Sequence, residues 1–159
     1  MSYLKSEMIP VKLPDDFVFV AGTNMLGVHG SGSALEARDK YGMPKGRFIG
    51  RTSDRSYGIP TKTKPSLYRS ARLPLSSIHA HVAAFKEYAK WNRDRVFYVV
   101  AIGCGLTGYT VDEIGPMFAD APDNCVLPYS FAKFFCEVPR KNRLWHLDDK
   151  VYREGERIE

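Results

Sequence analysis

Cysteine is scarce in this 159-residue chain: Cys104, Cys125 and Cys136 are odd in number and spaced for neither a disulfide framework nor a metal knuckle. Reduced thiols are expected. Long apolar runs are also missing, since the longest, Val96 to Leu106, has about half of the roughly 20 residues that a membrane-spanning helix needs. The segment Met1 to Lys12 carries Lys5, Glu7 and Lys12 and has no apolar core of signal-peptide length, so a cytoplasmic protein without a membrane partner is expected. No repeat or low-complexity tract occurs, and collagenous or coiled-coil architectures are excluded. What is present is a folded composition, 44% apolar with nine Phe and nine Tyr, in a length that suits one domain.

The net charge of +5 is unevenly placed. Between Arg38 and Arg72 lie ten basic residues against Asp39 and Asp54, a local balance of +8 that leaves the rest of the chain at −3. Such a segment is either a solvated basic loop or a collector of phosphates, because summed positive potential concentrates anionic ligands. Arg55, Lys62 and Lys64 are its candidates for clamping a diphosphate, Arg bidentately and Lys as a point charge.

The pattern of elements is α/β. Phe17 to Ala21 reads as a buried strand running into a glycine-dense loop, Gly22 to Gly32. Ser33 and Glu36 then stand in capping-box register for a helix that Gly42 would stop. Met43 to Arg72 reads mostly as loop, with a strand-like piece at Ser56–Ile59. Ser76 is placed to cap an amphipathic helix reaching about Trp91, with Ile78, Val82, Phe85 and Ala89 on its apolar face. Arg95 to Ile102 reads as a central strand and is followed by a second glycine loop, Gly103 to Gly108. Thr110 and Glu113 open a helix to Phe118, with Pro116 in its last turns, and Asp123 to Leu127 forms a further strand. The tail from Pro128 offers Phe131, Phe134, Phe135, Trp145 and Val151 as anchors and is charged from Asp148. Strand, glycine loop and helix start form an architecture suited to phosphate, since backbone N–H groups and the helix dipole face the ligand. Ligands in α/β sheets sit beyond the carboxyl ends of the strands, where both glycine loops fall.

Single residues carry competing readings. His29 either contacts a phosphate and moves a proton near neutral pH, or braces the loop through backbone hydrogen bonds. Asn24 either orients a ribose hydroxyl or a water, or closes an Asx-turn on its own backbone. Cys104 sits at a turn before a helix, which suits a nucleophile, but no base accompanies it and small-residue packing is the alternative. His79 and His81 are two apart on a helix and point to different faces, so no metal is assigned.

The stretches Val18 to Ala34, Tyr57 to Lys62 and Ala101 to Gly108 resemble a bacterial and phage branch related to macrodomains, over roughly Phe17 to Leu127. The resemblance implies a single three-layer α/β domain, a mixed sheet with helices on both faces, at residues 1–127, with residues 128–159 as a C-terminal extension packed on it. It implies a module that binds ADP-ribose or a related nucleotide diphosphate, without further cofactor, and either hydrolyses an ADP-ribosyl linkage or sequesters a nucleotide signal. Asn24 would then approach the distal ribose; His29, which the resemblance does not supply, is its candidate catalytic companion on the strength of its imidazole in the loop alone. Gly22, Gly27, Gly30, Gly32 and Lys62 would hold the ligand from one side, and Gly103, Cys104, Gly105, Leu106 and Gly108 from the other. The pattern departs from the family where His29 and Ser31 interrupt the first loop's glycines and where the second loop reads Gly-Cys-Gly-Leu. Asp15 or Asp16 lies near the place of the acidic residue that usually contacts adenine.

Two other classes compete. One is a nucleic-acid module in which Tyr41, Phe48, Tyr57 and Tyr68 stack bases within the basic segment. The other is a non-catalytic structural or interaction protein of a phage.

Overall fold

A computed structural model describes residues 13–135, 143–147 and 150–153. Cys136, Asp148 and the Met1 to Lys12 segment lie outside the described residues. The elements, in chain order, are β1 (Phe17–Asn24), α1 (Gly32–Tyr41), β2 (Gly50–Ser53), β3 (Ser56–Lys62), α2 (Leu75–Lys90), β4 (Val96–Val99), α3 (Val111–Ile114), β5 (Cys125–Pro128), β6 (Leu144–Leu147) and β7 (Lys150–Arg153). The strands form one seven-stranded sheet in the order β2-β3-β1-β4-β5-β6-β7. The central pairings of β1 with β3 and β4, and of β4 with β5 and β5 with β6, are parallel. Antiparallel partners, β2 and β7, finish the two edges. Residues after Pro128 therefore add two strands to the same sheet.

Period-2 alternation divides the strands between two apolar cores. Val18, Val20, Phe97, Val99, Cys125 and Leu127 face α2, whose Ile78, Val82, Phe85 and Ala89 form the buried stripe foreseen from their spacing. Phe17, Phe19, Val96, Tyr98 and Val126 face the other way, toward Ala37 and Tyr41 of α1. Helices cover both faces, so the three-layer α/β architecture with a mixed sheet is the observed one. Among the described residues no helix is long and apolar enough to cross a membrane.

Several boundaries differ from the sequence reading. β1 continues past Ala21 to Asn24, because Gly22 and Thr23 still pair with Ile59 and Pro60 before a bulge re-aims Asn24 toward Lys62. β4 stops at Val99, since the Ile102 N–H turns back to the Val100 carbonyl at 2.8 Å and draws the chain out of the sheet. Part of the expected loop is the β2–β3 hairpin; β2, Gly50-Arg-Thr-Ser53, has no apolar residue to announce it. Helix starts move as well. The N-cap of α1 is Ser31, not Ser33, whose Oγ instead accepts the Gly22 N–H at 3.1 Å, while Glu36 pairs with Lys40. Pro74, not Ser76, precedes α2. Gly42 ends α1 in the left-handed conformation, as expected, and the Thr110–Glu113 capping box forms. Pro116 falls in a tight 3-10 turn, Gly115–Phe118, that replaces the second half of the expected helix.

Candidate functional site

The carboxyl ends of β1, β3 and β4 open into a cleft of about 580 Å³, within the range typical of small-molecule sites. Its walls come from both glycine loops, the start of α1 and the segment after β3. Three pieces of local chemistry shape them.

The first loop is braced from behind. The Asn24 amide closes a turn on its own loop: Nδ2–H donates to the Val28 carbonyl at 2.7 Å, and Oδ1 accepts the N–H groups of Leu26 and Val28. His29 is buried, and its Nε2 sits 3.0 Å from the Pro44 carbonyl and 2.9 Å from that of Arg47. Both partners are acceptors, so Nε2 carries the proton. Gly27 has φ +68°, and the Gly46 N–H donates to its carbonyl at 2.9 Å. The loop is thus pinned to residues 44–47, with its outer surface toward the cleft.

The start of α1 is the second piece. The Ser31 side chain makes no capping bond, the first turn holds no acidic residue, and Leu35 has the first N–H bonded to a backbone acceptor, the Ser31 carbonyl at 3.2 Å. Gly32, Ser33 and Ala34 line the cleft. The helix therefore presents its unpaired N–H groups and the positive end of its dipole to the cleft wall.

The second glycine loop, opposite, turns at Gly103, φ +72°, whose carbonyl accepts the Tyr109 N–H at 2.9 Å. The hydroxyls of Thr61 and Thr107, 3.2 Å apart, tie this loop to the end of β3. Tyr109 OH donates to the Leu73 carbonyl at 2.6 Å, and the Arg72 guanidinium lies 4.1 Å over the Tyr109 ring.

Of the residues singled out in sequence, Gly22, Asn24, Gly30, Gly32, Lys62, Gly103, Gly105 and Leu106 line the cleft. Gly27, His29, Cys104 and Gly108 do not. His29 and Gly27 hold the loop to its neighbour, and Gly108 faces Arg72. Cys104 donates its S–H to the Ile102 carbonyl at 3.4 Å, and burial, followed by the Glu113 carboxylate, pushes its thiol up to about 11. Both effects disfavour the thiolate that a nucleophile needs. Thr61, Thr107 and Ser31 are lining residues that the sequence reading missed. Thr61 and Thr107 sit within stretches that carried the family resemblance, so the signal was present without a stated role.

The basic segment does not gather at the cleft. Arg55 belongs to the opposite end of the sheet, where its Nη2 donates to the carbonyls of Leu13 and Pro14 at 2.9 and 2.6 Å beneath the Tyr41 ring. Arg38 pairs with Asp39 and Arg51 with Asp54, and Lys64 is exposed outside the cleft lining. Asp15 and Asp16 precede β1, also at the far end, and cannot reach a base held in the cleft. Tyr41 and Tyr57 are core residues, stacked on Phe19 and packed on Phe85, which removes two of the four rings expected to stack on nucleic acid. Among the described residues no three His, Cys, Asp or Glu side chains come together, and the cleft wall has Lys62 as its titratable side chain.

His29→Ala is expected to cost about 2 kcal/mol, the loss of two carbonyl partners inside the protein, and to lower Tm by about 4–8 °C. Thermal unfolding measures this. A proton-transfer role would instead leave Tm unchanged.

No family model matches the chain, and no curated protein matches it. Among solved structures, Thermosipho africanus DarTG in complex with ADP-ribose is similar over 65% of this chain, at 19% sequence identity and a TM-score of 0.47. The chain spans about a third, 34%, of that chain's length.

Proposed function

We propose that the cleft is a binding site for a nucleotide diphosphate of the ADP-ribose type, which it holds as an anion. The observation that carries this reading is the uncapped start of α1, free of acidic residues in its first turn, facing the same cleft as Lys62 and the second glycine loop. Backbone N–H groups on one side and an ammonium on another suit two linked phosphates. The family resemblance of the two glycine loops supports the same ligand. The side-chain inventory favours holding over hydrolysis. General acid–base catalysis needs a proton carrier within hydrogen-bond reach of the reacting atoms, and neither His29, whose Nε2 bonds the Pro44 and Arg47 carbonyls, nor Cys104 lines the cleft. The module then acts as a reader or a sink for the nucleotide.

Thermal unfolding with and without ADP-ribose tests the reading. A ligand that binds only the folded state adds about 2.7 kcal/mol at a hundred times its Kd, which raises Tm by about 5–11 °C for a chain of this size. An unchanged Tm at millimolar ADP-ribose, with no heat in calorimetry, overturns it.

A further inference from the structure

We propose that the cleft selects the diphosphate and is indifferent to the nucleobase, so that its ligand class is diphosphoriboses of any base. This rests on the reading of the cleft as a nucleotide-diphosphate site.

Telling bases apart requires directional donors and acceptors aimed at their exocyclic groups; apolar surface discriminates weakly. Most of the cleft's side chains that bear such groups are held by at least one hydrogen bond to the protein itself, and a hydroxyl that keeps its O–H can donate or accept and so matches either kind of base edge. The Asn24 amide holds Leu26 and Val28, and Thr23 Oγ1–H donates to the Phe48 carbonyl. Thr61 and Thr107 bond each other, and Ser33 Oγ takes the Gly22 N–H. Ser66 Oγ accepts the Tyr68 N–H. Donors left over at the cleft wall are the Lys62 ammonium, the hydroxyls of Ser31, Ser33 and Ser66, the second N–H of Asn24 Nδ2 and the first N–H groups of α1. These suit phosphate oxygens, which are the same in every nucleotide.

The remaining wall is apolar. Leu67 and Leu106, 77% and 59% exposed, stand on the segments after β3 and β4, and Val28 stands in the first loop. A purine or a pyrimidine resting on methyl groups gains similar contact energy in either case. Among the described residues of the wall there is no carboxylate to pair with an exocyclic amine and no aromatic ring to stack on.

Titration calorimetry on the full chain tests this with ADP-ribose and its guanine, hypoxanthine and cytosine counterparts, which share the diphosphate and both riboses. The four Kd values are expected to agree within about tenfold, and Lys62→Ala to weaken all four by a similar factor of about ten. A preference for ADP-ribose above tenfold, or a Lys62→Ala loss confined to one base, overturns base indifference and leaves the diphosphate reading standing. No binding of any of the four by wild-type protein at millimolar concentration overturns both.

Discussion

Ser31→Asp is expected to stabilise the folded protein and to weaken its affinity for ADP-ribose by at least about a hundredfold. Ser31 is the N-cap of α1, in the extended conformation that capping requires, with its hydroxyl unused as a cap. A carboxylate there takes up the N–H groups of the first turn and lies favourably in the helix dipole, a gain of about 0.5–1 kcal/mol, or roughly 1–4 °C in Tm. The same carboxylate occupies the donors proposed for a phosphate. Two like charges about 4 Å apart near a protein surface repel by about 4 kcal/mol, which exceeds the 2.7 kcal/mol that a hundredfold represents. The opposite signs make the result diagnostic, because general damage lowers Tm and affinity together. A higher Tm with unchanged ADP-ribose affinity in calorimetry would remove the helix start from the binding site.

Gly27→Ala carries the largest expected loss of stability. A Cβ at this position would lie 2.5 Å from the Gly46 Cα and 2.7 Å from its N and C atoms, all backbone, in a left-handed conformation that disfavours any side chain. Left-handed strain of about 1–2 kcal/mol and overpacking of about 1–3 kcal/mol together give about 4 kcal/mol, or a fall in Tm of roughly 8–16 °C. Gly30→Ala is the control: no atom lies within 4 Å of its Cβ and its φ is ordinary. It should change stability by less than about 0.5 kcal/mol. Equal melting of the two variants in a thermal scan would mean that the loop does not dock on residues 44–47.

The parts of this molecule that were legible in its sequence are those where one physical requirement dominates. Phe17 to Ala21 and Val96 to Val99 are apolar on both faces because both faces are covered, and a continuous run states that directly. The stripe of α2 is a period, Gly42 is a conformational demand, and Thr110 with Glu113 is a reciprocal pair. Failures came where several solutions satisfy one pattern. Ser31 and Ser33 both suit a helix start, and what separated them was the Gly22 N–H, a partner eleven residues back that only the folded sheet brings near. Arg55 looked like a phosphate clamp because charge along a sequence says nothing about which end of a strand it reaches. It precedes β3, whereas Lys62 ends it, and that alone puts them at opposite ends of the sheet. His29 shows the same limit. Its flanking glycine loop suggested chemistry, while the two carbonyls that fix its role lie 15 and 18 residues further along the chain.

The position of β1 has a consequence for how the protein comes into being. It pairs on one side with β3, Phe19 against Ser56, and on the other with β4, Phe17 against Val96. Both contacts close long stretches of chain before any reward from burial arrives, which places the formation of the central sheet among slow, non-local folding events. During synthesis β1 must wait for β4 to leave the ribosome before its second edge is filled. The three segments that wall the cleft extend from the carboxyl ends of these same strands, so a growing chain acquires its cleft only when its centre closes.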